Sequence, residues 1–320
     1  MSSSVSSIGV TIPLEGVPLA DHQSAFAELA ALGYSELWSS EAMKTDAFTP
    51  VALAAAWAPT MRLGTAIVPA FTRAPAVMAQ SVAAMAEAAP GRFTFGIGTS
   101  SNVIVEGWNG VPFERPFHRT RDMVRFLKRA FTGEKVDMAC ESFTVKGFRL
   151  GRVPEHVPPI LVAALRPGML RMAGRESDGT IINWLSADDV ARVQPEVGDG
   201  KQIVARIFVI PSTDEALIQR IGRFAITSYL NVPVYAAFHE WLGRGPALQP
   251  MWDAWRAGDR KGALAAIPDS LVHQLIVSGT PEQCRDHIGR YVANGVTTPV
   301  LELIPGSGID PLDAYRMLAS

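Results

Sequence analysis

Residues 62–98, RLGTAIVPAFTRAPAVMAQSVAAMAEAAPGRFTFGIG, hold one complete strand–helix–strand unit. LGTAIV (63–68) and FTFGI (93–97) are short runs rich in β-branched and aromatic residues, while Met78, Val82, Met85 and Ala89 recur at helical spacing between them. Pro75 falls in the first turn, where a helix leaves its N–H groups unpaired, and Pro90-Gly91 stops the helix. Neither strand alternates cleanly between apolar and polar residues, which marks parallel strands covered on both faces.

The same unit recurs outward in both directions. Candidate strands lie at 8–12, 34–38, 63–68, 93–97, 160–164, 179–183, 203–210 and 299–304. Helical patterns follow at 20–32, 50–57, 75–88, 117–131, 167–174, from 187, at 214–229 and at 281–293, the last opened by a Thr280…Gln283 capping box. Eight such units in series predict an α/β fold of the (β/α)8 TIM-barrel class. A doubly wound sheet would have fewer strands and a Gly-rich first turn, and Pro13-Leu14-Glu15-Gly16 is no phosphate fingerprint. Two connections exceed a simple crossover. The one after strand four includes an extra extended piece at 143–150, and the one after strand seven includes an amphipathic helical stretch at 232–275 with Trp241, Trp252 and Trp255. That stretch is expected to be a lid or interface over the barrel mouth, or an extra surface helix pair. The expectation is one barrel domain over residues 1–320 that contains this insertion and opens with a loose Ser-rich lead-in at Met1–Ser7.

Composition narrows the partners. With 48% hydrophobic and 19% charged residues, the 320-residue chain has material for a large core and little for a disordered tail. Twenty-nine basic residues against 31 acidic ones, with no basic run longer than a pair, exclude a nucleic-acid footprint. No stretch is long and unbroken enough to span a bilayer, and the N-terminus has no secretory pattern, so a cytoplasmic enzyme is expected. Cys140 and Cys284 are too far apart for a Cys-pair zinc site, and the histidines are dispersed with no HExxH, so no metal is expected.

In such a barrel the loops after the strands build the site, so polar residues at strand C-termini are the candidates. They are Ser39, Ser40 and Glu41, then Thr99, Ser100, Ser101 and Asn102, then Arg166, then Asn183 with Trp184; Glu302 lies inside strand eight, where it can face the interior. In LVAALRPGMLRMAG (161–174), Arg166 precedes Pro167-Gly168 at a helix start, and a guanidinium beside free helix N–H groups makes an anion site. Gly98-Thr99-Ser100-Ser101-Asn102 lacks the closing Gly of a nucleophile elbow, and Gly96-Ile97-Gly98 lacks the spacing of a dinucleotide fingerprint.

The run at 62–98, WSSE (38–41), VAALRPGMLRMAGRESDGTI (162–181) and VSGTPEQCRDHIGRYVANGV (277–296) resemble the bacterial luciferase-like superfamily, in particular its coenzyme F420-dependent oxidoreductases of actinobacterial type. The resemblance covers nearly the whole chain. It implies a (β/α)8 barrel, often a homodimer, that binds coenzyme F420 or FMN at the C-terminal mouth. It also places a bulge with a non-prolyl cis peptide at Ala66-Ile67, a cofactor loop at Thr99, Ser100, Ser101 and Asn102, and a phosphate turn at Ala163, Ala164, Leu165, Arg166, Pro167 and Gly168. Asn183 joins this cofactor set from the end of strand six. The chain departs from many relatives in two places: Ala42 stands where they have His after an acid, and Leu165-Arg166 stands where they have two glycines. The activity implied is hydride transfer between the deazaflavin and a small organic substrate. Glu41 and Glu106 are the candidates to move the accompanying proton, and Trp38, Trp108 and Trp184 the candidates to wall the ring or the substrate. The alternatives are an FMN-dependent monooxygenase, a flavin-binding protein without turnover, and a barrel lyase or hydrolase.

Overall fold

The computed structural model describes residues 7–319, so the lead-in expected at Met1–Ser7 falls, but for Ser7, outside the described residues. Eight parallel strands form a closed ring: β1 (Gly9–Ile12), β2 (Glu36–Ser39), β3 (Arg62–Thr65), β4 (Phe93–Gly98), β5 (Ile160–Ala163), β6 (Gly179–Asn183), β7 (Gln202–Ile210) and β8 (Thr298–Leu303). Each pairs with its neighbours in sequence, and β8 closes on β1 through Gly9↔Val300 and Val10↔Leu301. The expected (β/α)8 TIM barrel is therefore the fold, with helices on its outer face. The helix Pro75–Ala88 starts and stops as its sequence dictates, and Met78, Val82, Met85 and Ala89 are all buried. Thr280 and Gln283 cap the helix Pro281–Ala293 reciprocally.

One inward-facing residue from each strand seals the ring. Gly9, Trp38, Gly64, Gly96, Leu161, Ile181, Val204 and Val300 form this layer and are all buried. Trp38, expected as a candidate ring wall, instead fills the barrel interior. Its indole lies so close over Gly64 that a Cβ there would stand 2.3 Å from the ring, and its Nε1–H donates to Glu36 at 2.8 Å.

The run 63–68 is not one strand. β3 ends at Thr65, the Ala66–Ile67 peptide is cis, and Val68–Pro69 resumes pairing with Ile97 and Gly98 of β4. Across the break the Thr65 hydroxyl takes over the ladder: it accepts the Gly96 N–H at 2.8 Å and donates to the Gly96 carbonyl at 3.0 Å. A β-branched hydroxyl residue thus satisfies two buried backbone groups that the interrupted strand leaves over.

After β4 come a single π-helical turn (Val103–Trp108), the helix Pro116–Ala130, and a hairpin of Val136–Ala139 with Thr144–Phe148. Only the second hairpin strand was legible as extended, because the first, VDMA, has no β-branched run. After β7 the helix Glu215–Leu230 is followed by helices Pro233–Trp241, Gly245–Arg256, Arg260–Ala265 and Asp269–Leu275. A short strand, Ile276–Ser278, then extends the wall beside Phe208–Ile210, beyond the point where β6 ends. This region packs its own apolar cluster onto the rim, joining Trp184 and Phe208 to Ile226, Leu248 and Trp252.

Two buried histidines make the fold acid-sensitive. His239 donates its Nε2–H to the Trp184 carbonyl at 2.9 Å, and burial, aided by the nearby Arg244 charge, pushes its pKa down to about 4. Burial and Arg290 likewise bring His287 to about 4. Both fall below the unfolded value of about 6.5, so the folded state holds them neutral. Their contribution to stability is complete above that value and is lost as pH falls from there toward 4. Stability at pH 5.5 is expected to be about 1 kcal/mol lower per histidine than at pH 7.5. Thermal melts of the protein and of His239→Gln check this, the variant showing the shallower pH dependence; identical melts at both pH values would refute it.

Candidate active site

Two residues further along each strand, toward its C-terminal end, lies the next inward-facing layer: Thr11, Ser40, Ala66, Ala163, Asn183 and Arg206, all half-buried, with Gly98 and Glu302 buried among them. It follows from period two along each strand, since the residue two before each of these belongs to the sealed layer. The layer has two unlike halves.

The β3–β5 half is small and uncharged. Ala66, Ile67 and Ala163 pack on the sealed layer and stay half-buried, and a Cβ on Gly98 would come 2.9 Å from Ala163 and 3.3 Å from Ile67. Thr99, Ser100 and Ser101 continue half-buried from β4, with Ser100 in the left-handed region at φ 60°, while Asn102 is exposed. Beyond β5, Ala164 is buried and Leu165 half-buried, and Arg166 is the exposed residue at the start of the helix Pro167–Glu176. No hydrogen bond or ion pair engages the Arg166 guanidinium among the described residues. Pro167 has no N–H, and the N–H groups of Gly168 and Met169 precede the first helical bond, from Leu170 N–H to the Arg166 carbonyl at 2.9 Å. A side chain on Gly168 would meet nothing within 4 Å.

The β6–β1 half is ionic. Arg206 Nη2 lies 2.9 Å from Glu302 Oε2, and Lys44 Nζ lies 2.7 Å from Glu15 and 4.0 Å from the other Glu302 oxygen. Burial works against the Arg206 charge, but the Glu302 carboxylate outweighs it and holds this guanidinium above its ordinary range. Asn183 Nδ2 donates to the Tyr235 hydroxyl at 3.1 Å, and burial raises Tyr235 to about 12. Trp184 is buried, its ring stacked on Phe208 at 4.0 Å between centroids and tilted against Tyr229 at 4.8 Å, so it supports this wall from behind.

Of the two expected proton carriers, Glu41 is tied down. Its carboxylate pairs with Arg73, accepts the Thr72 hydroxyl at 2.9 Å and the Ala47 N–H at 3.4 Å, and its backbone N–H donates to the Ile67 carbonyl at 3.0 Å. Ser39, beside it, is fully buried and donates to the Ala47 carbonyl. Glu106 lies exposed on the π-helical turn and accepts the Phe113 N–H at 3.1 Å. Trp108 is more than half exposed. Glu302 faces the interior as its position in strand eight allowed. Arg206, Lys44 and Tyr235 escaped the sequence reading, since Arg206 lies in an apolar run, IVARIFVI, whose one charge was itself the signal.

The chain belongs to the luciferase-like monooxygenase family, whose sequence profile matches residues 4–298, nearly the whole of this closed parallel barrel. Among individual relatives, it is 35% identical over 246 residues to the F420-dependent glucose-6-phosphate dehydrogenase of Rhodococcus hoagii, covering 74% of this chain and 71% of that one. It is 25% identical over 312 residues to the 5,10-methylenetetrahydromethanopterin reductase of Methanolobus tindarius, covering 94% and 93%. A solved F420-dependent secondary alcohol dehydrogenase, in complex with an F420–acetone adduct, shares the fold at a TM-score of 0.78 over 98% of both chains and 16% identity.

Proposed function

We propose that this protein is a coenzyme F420-dependent oxidoreductase that transfers a hydride between the deazaflavin and a small organic substrate. The observation that carries the reading is the adjacency of two surfaces on the β3–β5 half. An uncharged patch of small and aliphatic residues, Ala66, Ile67, Gly98 and Ala163, suits the face of a fused ring, and an uncommitted Arg166 at a helix N-terminus suits the anionic tail. The names of the relatives support the same cofactor. When bound, the deazaflavin supplies a carbon that gives or takes a hydride.

In this reading Ala66, Ile67, Gly98 and Ala163 back the ring. Thr99, Ser100, Ser101 and Asn102 line its edge, Asn183 meets it from β6, and Ala164, Leu165, Arg166, Pro167 and Gly168 hold the phosphate. Glu41 fixes the junction between the β2 loop and Ile67, because its carboxylate is already committed to three donors. Glu106, with one backbone partner, is the proton carrier. Glu106→Gln then keeps cofactor affinity and loses turnover; retained turnover moves the proton elsewhere. The protein works in this reading as a cytoplasmic homodimer, and no helix among the described residues is long and apolar enough to cross a membrane.

Fluorescence titration of the purified protein with F420 and with FMN tests the cofactor. Saturable binding of F420 without FMN is the expected result. The reverse selects a flavin monooxygenase, and binding of neither removes the redox reading.

A further inference from the structure

β6 ends at Asn183, and the residue after it takes a backbone that bulky side chains rarely adopt: Trp184 has φ 54°. Such a conformation persists where its neighbours over-determine it. Here one helix of the region after β7 supplies two of the constraints. On the helix Pro233–Trp241, Tyr235 and His239 stand four residues apart and so share a face. The Tyr235 hydroxyl straddles the Asn183 amide, accepting from Nδ2 at 3.1 Å and lying 3.4 Å from Oδ1, while His239 donates to the Trp184 carbonyl at 2.9 Å. The turn beyond is tied to the same element. Arg192 Nη2 donates to the Trp241 carbonyl at 2.9 Å, and Arg244, just past the helix, lies 2.8 Å from Asp189.

Asn183 is half-buried in the inward layer at the barrel mouth, in register with Arg206 of β7. Its terminal amide turns broadly about its last bond unless a partner holds it, and one hydroxyl against both of its polar atoms is such a partner. One amide N–H and one oxygen lone pair are then left over for a ligand. We infer that Tyr235 and His239 are positioning residues: together they fix the Asn183 amide for the group bound at the mouth, which makes the helix Pro233–Trp241 a working part of the site. Tyr235 acts on the amide itself, and His239 acts one residue further on, by holding the turn that aims the last side chain of β6. Without them a ligand has to freeze the amide on binding, and affinity falls by that cost. The inference rests on the proposed function for the identity of the bound group.

NMR of the full chain labelled with 15N only at asparagine tests it. There are five asparagines in the sequence, and Asn183→Ala assigns the side-chain signal of the one in question. Tyr235→Phe keeps the ring and removes the hydroxyl. It is expected to shift the Asn183 amide signal and to raise the dissociation constant for F420 about three- to tenfold, the loss of one neutral hydrogen bond. In an Asn183→Ala background the same substitution is expected to add nothing. His239→Leu should move the Asn183 signal too, and His239→Gln, which can still donate to the Trp184 carbonyl, should restore it. An Asn183 signal unmoved by Tyr235→Phe, an F420 loss that adds to that of Asn183→Ala, or a moved signal with unchanged F420 affinity would each overturn the inference. A signal that moves as expected in a protein that takes no F420 sinks the cofactor reading and leaves the placing of Asn183 by this helix standing.

Discussion

Gly96→Ala lowers the midpoint of thermal unfolding by roughly 6 °C, the equivalent of about 3 kcal/mol in a domain of this size. The reason lies in the interrupted third strand. A Cβ on Gly96 would stand 1.9 Å from the Thr65 carbonyl oxygen and 2.4 Å from Ile181. The first is backbone, held by the Thr65 hydroxyl on both sides of Gly96, so it cannot swing aside as a flexible side chain would. The overpacking therefore moves the chain itself, at the residue just before Ala66 and Ile67. Gly98→Ala is the informative partner. Its Cβ would press on the side chains of Ala163 and Ile67, which form the surface proposed for the ring. It is expected to leave the melting midpoint within about 2 °C while lowering F420 affinity. Differential scanning calorimetry with F420 titration on both variants checks the pair; a Gly96→Ala protein that melts with the wild type would show that Thr65 can retreat.

Arg166→Ala raises the dissociation constant for F420 at least about tenfold, about 1.5 kcal/mol, the low end for a hydrogen bond to a charged group. Because Arg166 is exposed and engages no other side chain among the described residues, the substitution removes no folded contact, and its melting midpoint should not move. Arg166→Lys keeps the charge but loses the planar fork and should fall between the two. The effect should shrink with added salt. Affinity unchanged in Arg166→Ala would take this residue out of the cofactor site.

The barrel was legible because its strands are covered on both faces. The resulting near-continuous apolar runs, punctuated by Pro and Gly, repeat eight times in the right order. Helix ends were equally plain where a local rule operates, as with Pro75 and the Thr280–Gln283 box, since a cap involves residues three apart. Arg166 could be singled out for the same reason: strand end, arginine and helix start are contiguous.

What stayed hidden depends on distance along the chain. The residues of the run 63–68 read as one strand, and only the family resemblance put a bulge with a cis peptide at Ala66-Ile67, where the structure has it; how the break is accommodated shows in the Thr65 hydroxyl serving Gly96, thirty-one positions on. Glu41 read as a candidate proton carrier, and only the fold brings Thr72 and Arg73 to its carboxylate.

Local periodicity and capping thus determined the ring of eight strands and the end of it at which the site is proposed, since both are encoded in near neighbours. The ionic half of the mouth was decided by tertiary structure alone. Lys44, Arg206 and Glu302 meet only because the barrel closes, and Tyr235 reaches Asn183 only because the helices after β7 fold back over the rim. Charges paired across such spans leave no pattern in the sequence: each was placed by a different strand or loop, and only closure sets their separation.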